Sequence, residues 1–172
     1  MEQKTKKITK VKKTEEKIEH RPSSSNNLIL VIRIDGEVKV KPDVRYTLDI
    51  MRLRRKYSSI LIDSKNVSVM GMLSKVKYSV AYGEIERDTL VKLLNARAQM
   101  ASSDSKKSNN AKPNYESIAE ELISGKKLDE LGFKPFFRLH PPRKGINSKL
   151  QYPKGVLGNN KKDINKLVER ML

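Results

Sequence analysis

The 172-residue sequence predicts an α+β fold, with a small sheet and helices packed on one of its faces. Three short apolar segments, over residues 28–34, 59–63 and 80–85, have the length and β-branched composition of buried strands. Between them lie two segments whose apolar residues recur at helical spacing. The order strand–helix–strand–helix–strand therefore predicts a compact β-α-β-α-β sandwich.

The first predicted strand has two different faces. Its even-numbered side chains, from Leu28 to Ile34, are all aliphatic, whereas the other face runs from Ile29 through Val31 to Arg33. Side chains alternate across a strand, so one wholly aliphatic face is available to a core. The strand is expected to end at the Asp–Gly pair that follows it.

The first predicted helix carries a cluster of cations. Pro42 suits a first helical turn because proline lacks an N–H group, and Asp43 favours the positive end of the helix dipole. A charged helix face is usually just solvated, but only Asp49 supplies a nearby acid here. We therefore predict phosphate contacts, which position a nucleic acid without reading its sequence. The cations expected to share and widen this face are Arg45, Arg52, Arg54, Arg55 and Lys56.

The rest of the chain shows further helices and one polar linker. Helical spacing of apolar residues continues over 67–80 and 86–100, and Asn114 is expected to cap another helix that Gly125 ends. The chain is predicted to have four parts: a disordered basic arm over 1–27, an α+β core over 28–85, a helical extension over 86–135 with a flexible linker at 101–113, and a basic strand, loop and C-terminal helix over 136–172.

The net charge of +17 is the most informative feature of the composition. Such an excess is typical of proteins with an anionic partner, nucleic acid first and a membrane surface second. The last 37 residues alone carry nine cations and two acids. The absence of cysteine excludes disulfides and thiol catalysis. No apolar run is long enough to span a bilayer, and the charged start of the chain does not resemble a signal peptide.

The segment "PFFRLHPPRKG", residues 135–145, changes from an apolar strand into a stiff cationic loop. Alternation directs Phe137 and Leu139 towards a core and Arg138 and His140 outwards. Prolines and glycines continue between apolar anchors, which favours a loop of one shape over a disordered tail. The candidate RNA-binding residues of this block are Arg138, His140, Arg143, Lys144, Lys149, Lys154, Lys161 and Lys162.

The last helix offers a more specific hypothesis. Asn160 is placed to cap it, with Asp163 three residues later. Lys161 and Lys162 would then lie in the first turn, where the helix dipole disfavours cations. A phosphate bound there would satisfy both the main-chain amides and the two lysines.

Catalytic and metal-binding signals are missing. The chain has two histidines, of which His20 lies in the predicted arm, and no nucleophile, phosphate-loop or zinc-protease motif occurs. His140 has no acid nearby in sequence, so we expect it to stack on a base or hydrogen-bond a phosphate instead of acting as a catalyst. We predict no catalytic residue, no metal site and no cofactor.

Four segments resemble one known family, the universal large-subunit ribosomal proteins numbered thirty in bacteria and archaea and seven in eukaryotes. They are "VIRIDGEVKVKPDVRYTLDIMRLRR" at 31–55, "GMLSKVKYSVAYGEI" at 71–85, "FRLHPPRKG" at 137–145 and "GVLGNNKKDINKLVERML" at 155–172. The last two are similar to the long archaeal form. Arg33 and Lys75 lie in matching pieces and join the RNA-binding candidates.

The resemblance implies a non-enzymatic structural component of the large ribosomal subunit, in the cytoplasm, with a three-stranded ferredoxin-like core. It implies binding to large-subunit rRNA near the 5S rRNA region, neighbouring ribosomal proteins as partners, and neither a membrane, a small-molecule substrate nor a homo-oligomer. Two alternatives remain at this point: a free RNA- or DNA-binding module outside the ribosome, and an RNA-processing enzyme. Co-migration with large subunits through high-salt washes would distinguish a ribosomal protein from a free binding module. Loss of turnover in His140→Ala would indicate an RNA-processing enzyme.

Overall fold

A computed structural model describes residues 28–38, 40–101, 113–146 and 148–172. The predicted disordered arm and nearly all of the predicted linker lie outside these described residues. The strands are β1 (Leu28–Arg33), β2 (Ser58–Asp63), β3 (Val80–Glu84), β4 (Phe137–Arg138) and β5 (Gly158–Asn159). The helices are α1 (Pro42–Ile50), α2 (Val67–Val76), α3 (Arg87–Arg97), α4 (Tyr115–Ile123) and α5 (Ile164–Glu169).

The five strands form one sheet in the order β4-β2-β1-β3-β5. β1 lies at the centre and pairs antiparallel with β2 and β3, so that Leu30 faces Leu61 on one side and Gly83 on the other. These are the three predicted strands, and they are confirmed. The C-terminal part of the chain adds β4, antiparallel to β2, and β5, parallel to β3. Both edges of the sheet are therefore supplied by the basic C-terminal segment.

Helices cover both faces of the sheet. The even-numbered side chains of β1 pack with apolar residues of α3, α4 and α5, whereas Val31 on the other face packs with Leu48 of α1 and Leu73 of α2. Because β1 is apolar on both faces, burying it requires a layer on each side. The α+β prediction is confirmed, and α1 and α2 share one face as expected. The sequence did not assign α3, α4 and α5 to the opposite face.

The first helix ends before most of the cations that were predicted to lie on it. α1 stops at Ile50, and Arg52 adopts a left-handed backbone conformation with φ of 61°. Two hydrogen bonds close the helix, from the Arg52 amide to the Asp49 oxygen and from the Leu53 amide to the Leu48 oxygen. Leu48 and Leu53 are both fully buried, which completes a Schellman ending. Burial of Leu53 in the core is thus favoured over continuation of the helix.

This early ending corrects one prediction about the cations. Arg45 lies on α1, whereas Arg52, Arg54, Arg55 and Lys56 lie in the loop between α1 and β2. The expected shared helix face therefore does not exist. The loop holds its cations at the edge of the sheet where β2 begins.

The final helix starts later than predicted. A 3₁₀ turn, Lys161–Asp163, precedes α5. Asn160 is buried, and its side-chain amide donates to the Val156 oxygen over 2.8 Å and caps no helix, so the predicted cap is wrong. The apolar residues of this segment recur at helical spacing, and all four of them are buried: Ile164, Leu167, Val168 and Met171. None of the helices in the described segments is long and apolar enough to cross a membrane.

Candidate nucleic-acid interface

The strand β4 separates core from surface as its alternation predicted. Phe137 and Leu139 are buried, whereas Arg138 and His140 are exposed. Phe136, on the same face as Arg138, is only half-buried and packs against the α1–α2 side of the core. The outward face of β4 therefore presents an aromatic ring next to a guanidinium.

A basic cleft lies at this edge of the sheet. Its volume is about 430 Å³. The floor includes Ser58 of β2, which pairs with Arg138 of β4, and the Arg138 guanidinium lies 5.8 Å from the centre of the Phe136 ring. Four of its six lining residues are arginines: the lining set is Arg52, Arg54, Arg55, Ser58, Phe136 and Arg138.

Within the described residues, little of the positive charge of the cleft is compensated by acidic side chains. Arg52 approaches Asp129 at 3.6 Å, and both side chains are more than half exposed, so this ion pair is weak. Arg54, Arg55 and Arg138 have no carboxylate within salt-bridge distance among the residues that the structure describes. Three guanidinium groups thus remain available to an anion.

Arg33 does not belong to this surface. Only 1% of it is exposed, and its Nη1 donates to the main-chain oxygens of Leu53 and Arg54 over 2.8 and 2.7 Å. Its other nitrogens donate to the oxygens of Asp35 and Gly36. A side chain engaged in this way cannot reach RNA. We therefore correct the prediction: Arg33 supports the loop that carries the cleft arginines.

The loop after β4 continues the basic surface. His140 donates its amide to the Met171 oxygen over 3.0 Å, and Arg143 donates its amide to the Arg170 oxygen over 2.8 Å. The Arg170 guanidinium in turn donates to the main-chain oxygens of Arg143 and Gly145. The end of the chain therefore holds this loop in one shape, with the side chains of Arg143 and Lys144 exposed.

The loop before β2 adjoins the same surface. The Leu139 amide donates to the Tyr57 oxygen over 3.0 Å, and the Lys56 ammonium lies 4.8 Å from the centre of the Tyr57 ring. This contact brings Lys56 next to the start of the loop that carries His140. We call the cleft, the loop before β2 and the loop after β4 together the β4 surface. It comprises Arg52, Arg54, Arg55, Lys56, Ser58, Phe136, Arg138, His140, Arg143 and Lys144.

The remaining candidates lie elsewhere. Lys161 and Lys162 follow β5, at the opposite edge of the sheet, roughly 19 Å from β4 if neighbouring strands are about 4.8 Å apart. Lys149 binds Asp35 at 3.0 Å, and Arg45 lies 3.6 Å from Glu37. Two further candidates, Lys75 and Lys154, are exposed and lie outside the cleft lining.

Sequence reasoning missed two features of this surface. Phe136 was not among the predicted RNA-binding residues, although its alternation with Phe137 already placed it beside Arg138. Arg170 was not considered, and its contacts with the loop depend on long-range packing that local sequence does not show. No cluster of three or more potential metal ligands occurs within the described ranges.

Comparison with known proteins identifies the family to which this chain is similar. The sequence profile of the family described as ribosomal protein L30p/L7e matches residues 29–80. The chain is 38% identical over 159 residues to the large ribosomal subunit protein uL30 of Ignicoccus hospitalis, covering 86% of this chain and 99% of that protein.

Two further archaeal relatives give the same result. The chain is 40% identical over 161 residues to uL30 of Desulfurococcus amylolyticus, covering 84% of this chain and 98% of the relative. It is 40% identical over 152 residues to uL30 of Archaeoglobus fulgidus, covering 84% and 99%. The resemblance inferred from the motifs is confirmed, and the chain belongs to the ribosomal protein L30p/L7e family, with relatives among the uL30 proteins of archaea.

Proposed function

We propose that this protein binds large-subunit rRNA through the β4 surface, by contacts between its arginine and lysine side chains and RNA phosphates. As a member of a ribosomal protein family, the chain has a structural role in the large subunit of the cytoplasmic ribosome. That family is not a class of enzymes. Its partners are therefore rRNA and other ribosomal proteins, and we place the contact near the 5S rRNA region as part of the proposal.

The observation that carries the proposal is the group of three arginines without a described acidic partner, Arg54, Arg55 and Arg138, around one cleft. Like charges held together raise the local positive potential, and an anion bound among them relieves their mutual repulsion. RNA phosphates released from their counterions provide such anions, with a gain in entropy as the counterions enter solution.

The loop cations extend the contact beyond the cleft. Arg143 and Lys144 are carried by a backbone that is hydrogen-bonded to Arg170, so little backbone entropy is lost when their side chains meet a phosphate. His140 is exposed beside them and can donate to a phosphate oxygen. The cations outside the β4 surface are proposed as secondary contacts: Arg45, Lys75, Lys149, Lys154, Lys161 and Lys162.

Salt dependence of binding tests this proposal. Affinity for transcribed large-subunit rRNA fragments should fall as salt rises, and the log–log slope should decrease by about 0.7 to 0.9 for each phosphate contact removed. The double variant Arg54→Gln/Arg55→Gln should therefore show both weaker binding and a shallower slope than the wild type.

A matched control removes the same charge from another part of the surface. Lys65 and Lys127 are both exposed; Lys65 lies just after β2, where its amide donates to the Asp63 carboxylate, and Lys127 lies in the loop after α4. The variant Lys65→Gln/Lys127→Gln should keep most of the wild-type slope. Equal slopes for the two double variants would refute the assignment of the interface, and a flat slope for the wild type would refute phosphate binding altogether.

A further inference from the structure

We infer that the basic cleft receives a single unpaired nucleotide, whose base stacks beside Phe136 and whose phosphate is held by the surrounding arginines. This inference rests on the proposed rRNA binding and adds the kind of RNA element that the site selects. It follows from three properties of the cleft: a partly exposed aromatic ring, planar cations around it, and the volume of a small-molecule site.

The aromatic part of the cleft provides a stacking surface. Phe136 is half-buried, so the core fixes its ring while part of the ring still faces the cleft. The Arg138 guanidinium lies 5.8 Å from the ring centre. Single-stranded bases in RNA are recognised by stacking on aromatic rings or on guanidinium planes, and this site offers both next to each other.

The arginines around the cleft are suited to bind the phosphate of a nucleotide. Arg54, Arg55 and Arg138 supply donors without a described acidic partner, and paired N–H groups of a guanidinium match the oxygens of a phosphate. The cleft therefore combines a flat apolar surface and concentrated positive charge within about 430 Å³. Sites for small ligands typically measure about 300 to 1,000 Å³.

A continuous RNA duplex cannot use both the aromatic ring and the positive charge of the cleft. In double-stranded RNA the bases are stacked inside, and a protein meets mainly phosphates and 2′-hydroxyls on a wide surface. Contacts of that kind use arginines but leave the exposed part of the Phe136 ring without a stacked base. A base that leaves the stack at a bulge or loop can enter the cleft and contact Phe136.

The cleft is also held in place before RNA arrives. The buried Arg33 side chain binds the main-chain oxygens of Leu53 and Arg54, and the Ser58 amide donates to the Arg55 oxygen over 3.1 Å. The arginine loop is thus fixed at both ends. Preformed sites lose less entropy on binding, which favours a defined single-nucleotide site over a nonspecific charged loop.

Three RNA hairpins of otherwise equal sequence provide the test: fully paired, with one bulged adenosine, and with an abasic residue at the bulge. We expect the full-length protein to bind the adenosine bulge about tenfold more tightly than the paired hairpin, because stacking on one base has that magnitude. The abasic bulge keeps the phosphate and distorts the duplex equally, so it should bind like the paired hairpin.

Two substitutions of one side chain complete the experiment. Phe136→Leu removes the ring and should abolish the preference for the bulge, whereas Phe136→Tyr keeps the ring and should retain it. Melting curves of both variants establish that they are folded. A bulge preference that survives in Phe136→Leu, or an abasic bulge bound as tightly as adenosine, overturns the inference.

The same measurements distinguish this inference from the proposed function. If the wild type binds all three hairpins equally with a steep salt slope, the single-nucleotide site is wrong while phosphate binding stands. If binding shows no salt dependence, the proposed function fails together with the inference.

Discussion

The side chain of Arg33 binds the main chain of Arg54, with 2.7 Å between its Nη1 and the carbonyl oxygen. The same nitrogen donates to the Leu53 oxygen, and the remaining guanidinium nitrogens donate to the oxygens of Asp35 and Gly36. A buried charge is tolerated only when it is hydrogen-bonded. Here four carbonyl groups fulfil that condition, and the buried cation joins the loop after β1 to the loop after α1.

Replacing Arg33 should therefore affect both stability and RNA binding. Arg33→Met should lower the free energy of unfolding by on the order of 3 kcal/mol, because buried carbonyl groups lose their donors. Arg33→Lys should recover only part of this loss, since one ammonium cannot span four acceptors. Urea denaturation measures the change, and binding of large-subunit rRNA at low temperature should weaken in both variants.

Arg55→Met is the control for this substitution. Arg55 is exposed and its side chain lines the cleft, so the free energy of unfolding should change by less than about 0.5 kcal/mol while rRNA binding weakens. If Arg33→Met proved as stable as Arg55→Met, the buried guanidinium would not be holding the loop.

Asn165 joins three elements of the fold. Its Oδ1 accepts hydrogen bonds from the Glu86 amide and the Thr89 hydroxyl, and its Nδ2 donates to the oxygens of Glu84 and Lys162. Asn165→Ala leaves these four groups without their partner, and we expect a loss of about 2 to 3 kcal/mol in the free energy of unfolding. Thr89→Val removes one of the four bonds and should cost about 1 kcal/mol. Equal unfolding free energies for the two variants would contradict this assignment.

The central part of the fold could be predicted because local patterns determine it. β1 is apolar on both faces, Pro42 begins α1, and the Asn114 side chain accepts from the Glu116 amide as a cap should. Alternation in β4 also assigned Arg138 and Phe137 to opposite faces correctly. Each of these signals acts within a few residues, so the sequence alone contains it.

The rest depends on contacts between distant residues. Helical spacing suggested that α1 continues beyond Ile50, but burial of Leu53 in the core ends it. The family resemblance placed Arg33 among the RNA-binding candidates, but carbonyl groups 20 and 21 residues away provide the partners that allow its burial. Asparagine is a common helix cap, but the Asn160 side chain donates to the main-chain oxygen of Val156 instead. Packing overrides local propensity at each of these positions.

A small polar cluster near β5 should show its own pH dependence. Asp163 accepts hydrogen bonds from Lys166 at 2.9 Å and from the Tyr152 hydroxyl at 2.8 Å, and these bonds lower the pKa of its carboxyl below the ordinary value of 3.8. A lowered pKa stabilises the fold above the unfolded-state value, and this contribution is lost as the pH falls through the folded-state value. Carboxyl ¹³C shifts should therefore give a midpoint for Asp163 below 3.8.

Two variants separate the causes of this shift. Lys166→Met removes the larger cause and should raise the pKa of Asp163 more than Tyr152→Phe, which removes the smaller one. The loss of stability between pH 5 and pH 2, measured by thermal unfolding, should be smaller in Lys166→Met than in the wild type. An unchanged Asp163 midpoint in Lys166→Met would show that the ion pair is absent in solution.

Alanine substitutions of two glycines, one in the sheet and one in a helix, should change the free energy of unfolding in opposite directions. A Cβ at Gly83 of β3 would lie 2.1 Å from the main-chain oxygen of Lys161, so the 3₁₀ turn packs on β3 only if residue 83 has no side chain. Gly83→Ala should thus lower the free energy of unfolding by about 1 to 3 kcal/mol, the usual cost of overpacking. Gly71 lies in the middle of α2 with nothing within 4 Å of a Cβ, and Gly71→Ala should stabilise the protein by about 0.5 to 1 kcal/mol. Thermal unfolding of both variants measures the difference, and destabilisation by Gly71→Ala would mean that α2 is not helical at this position in solution.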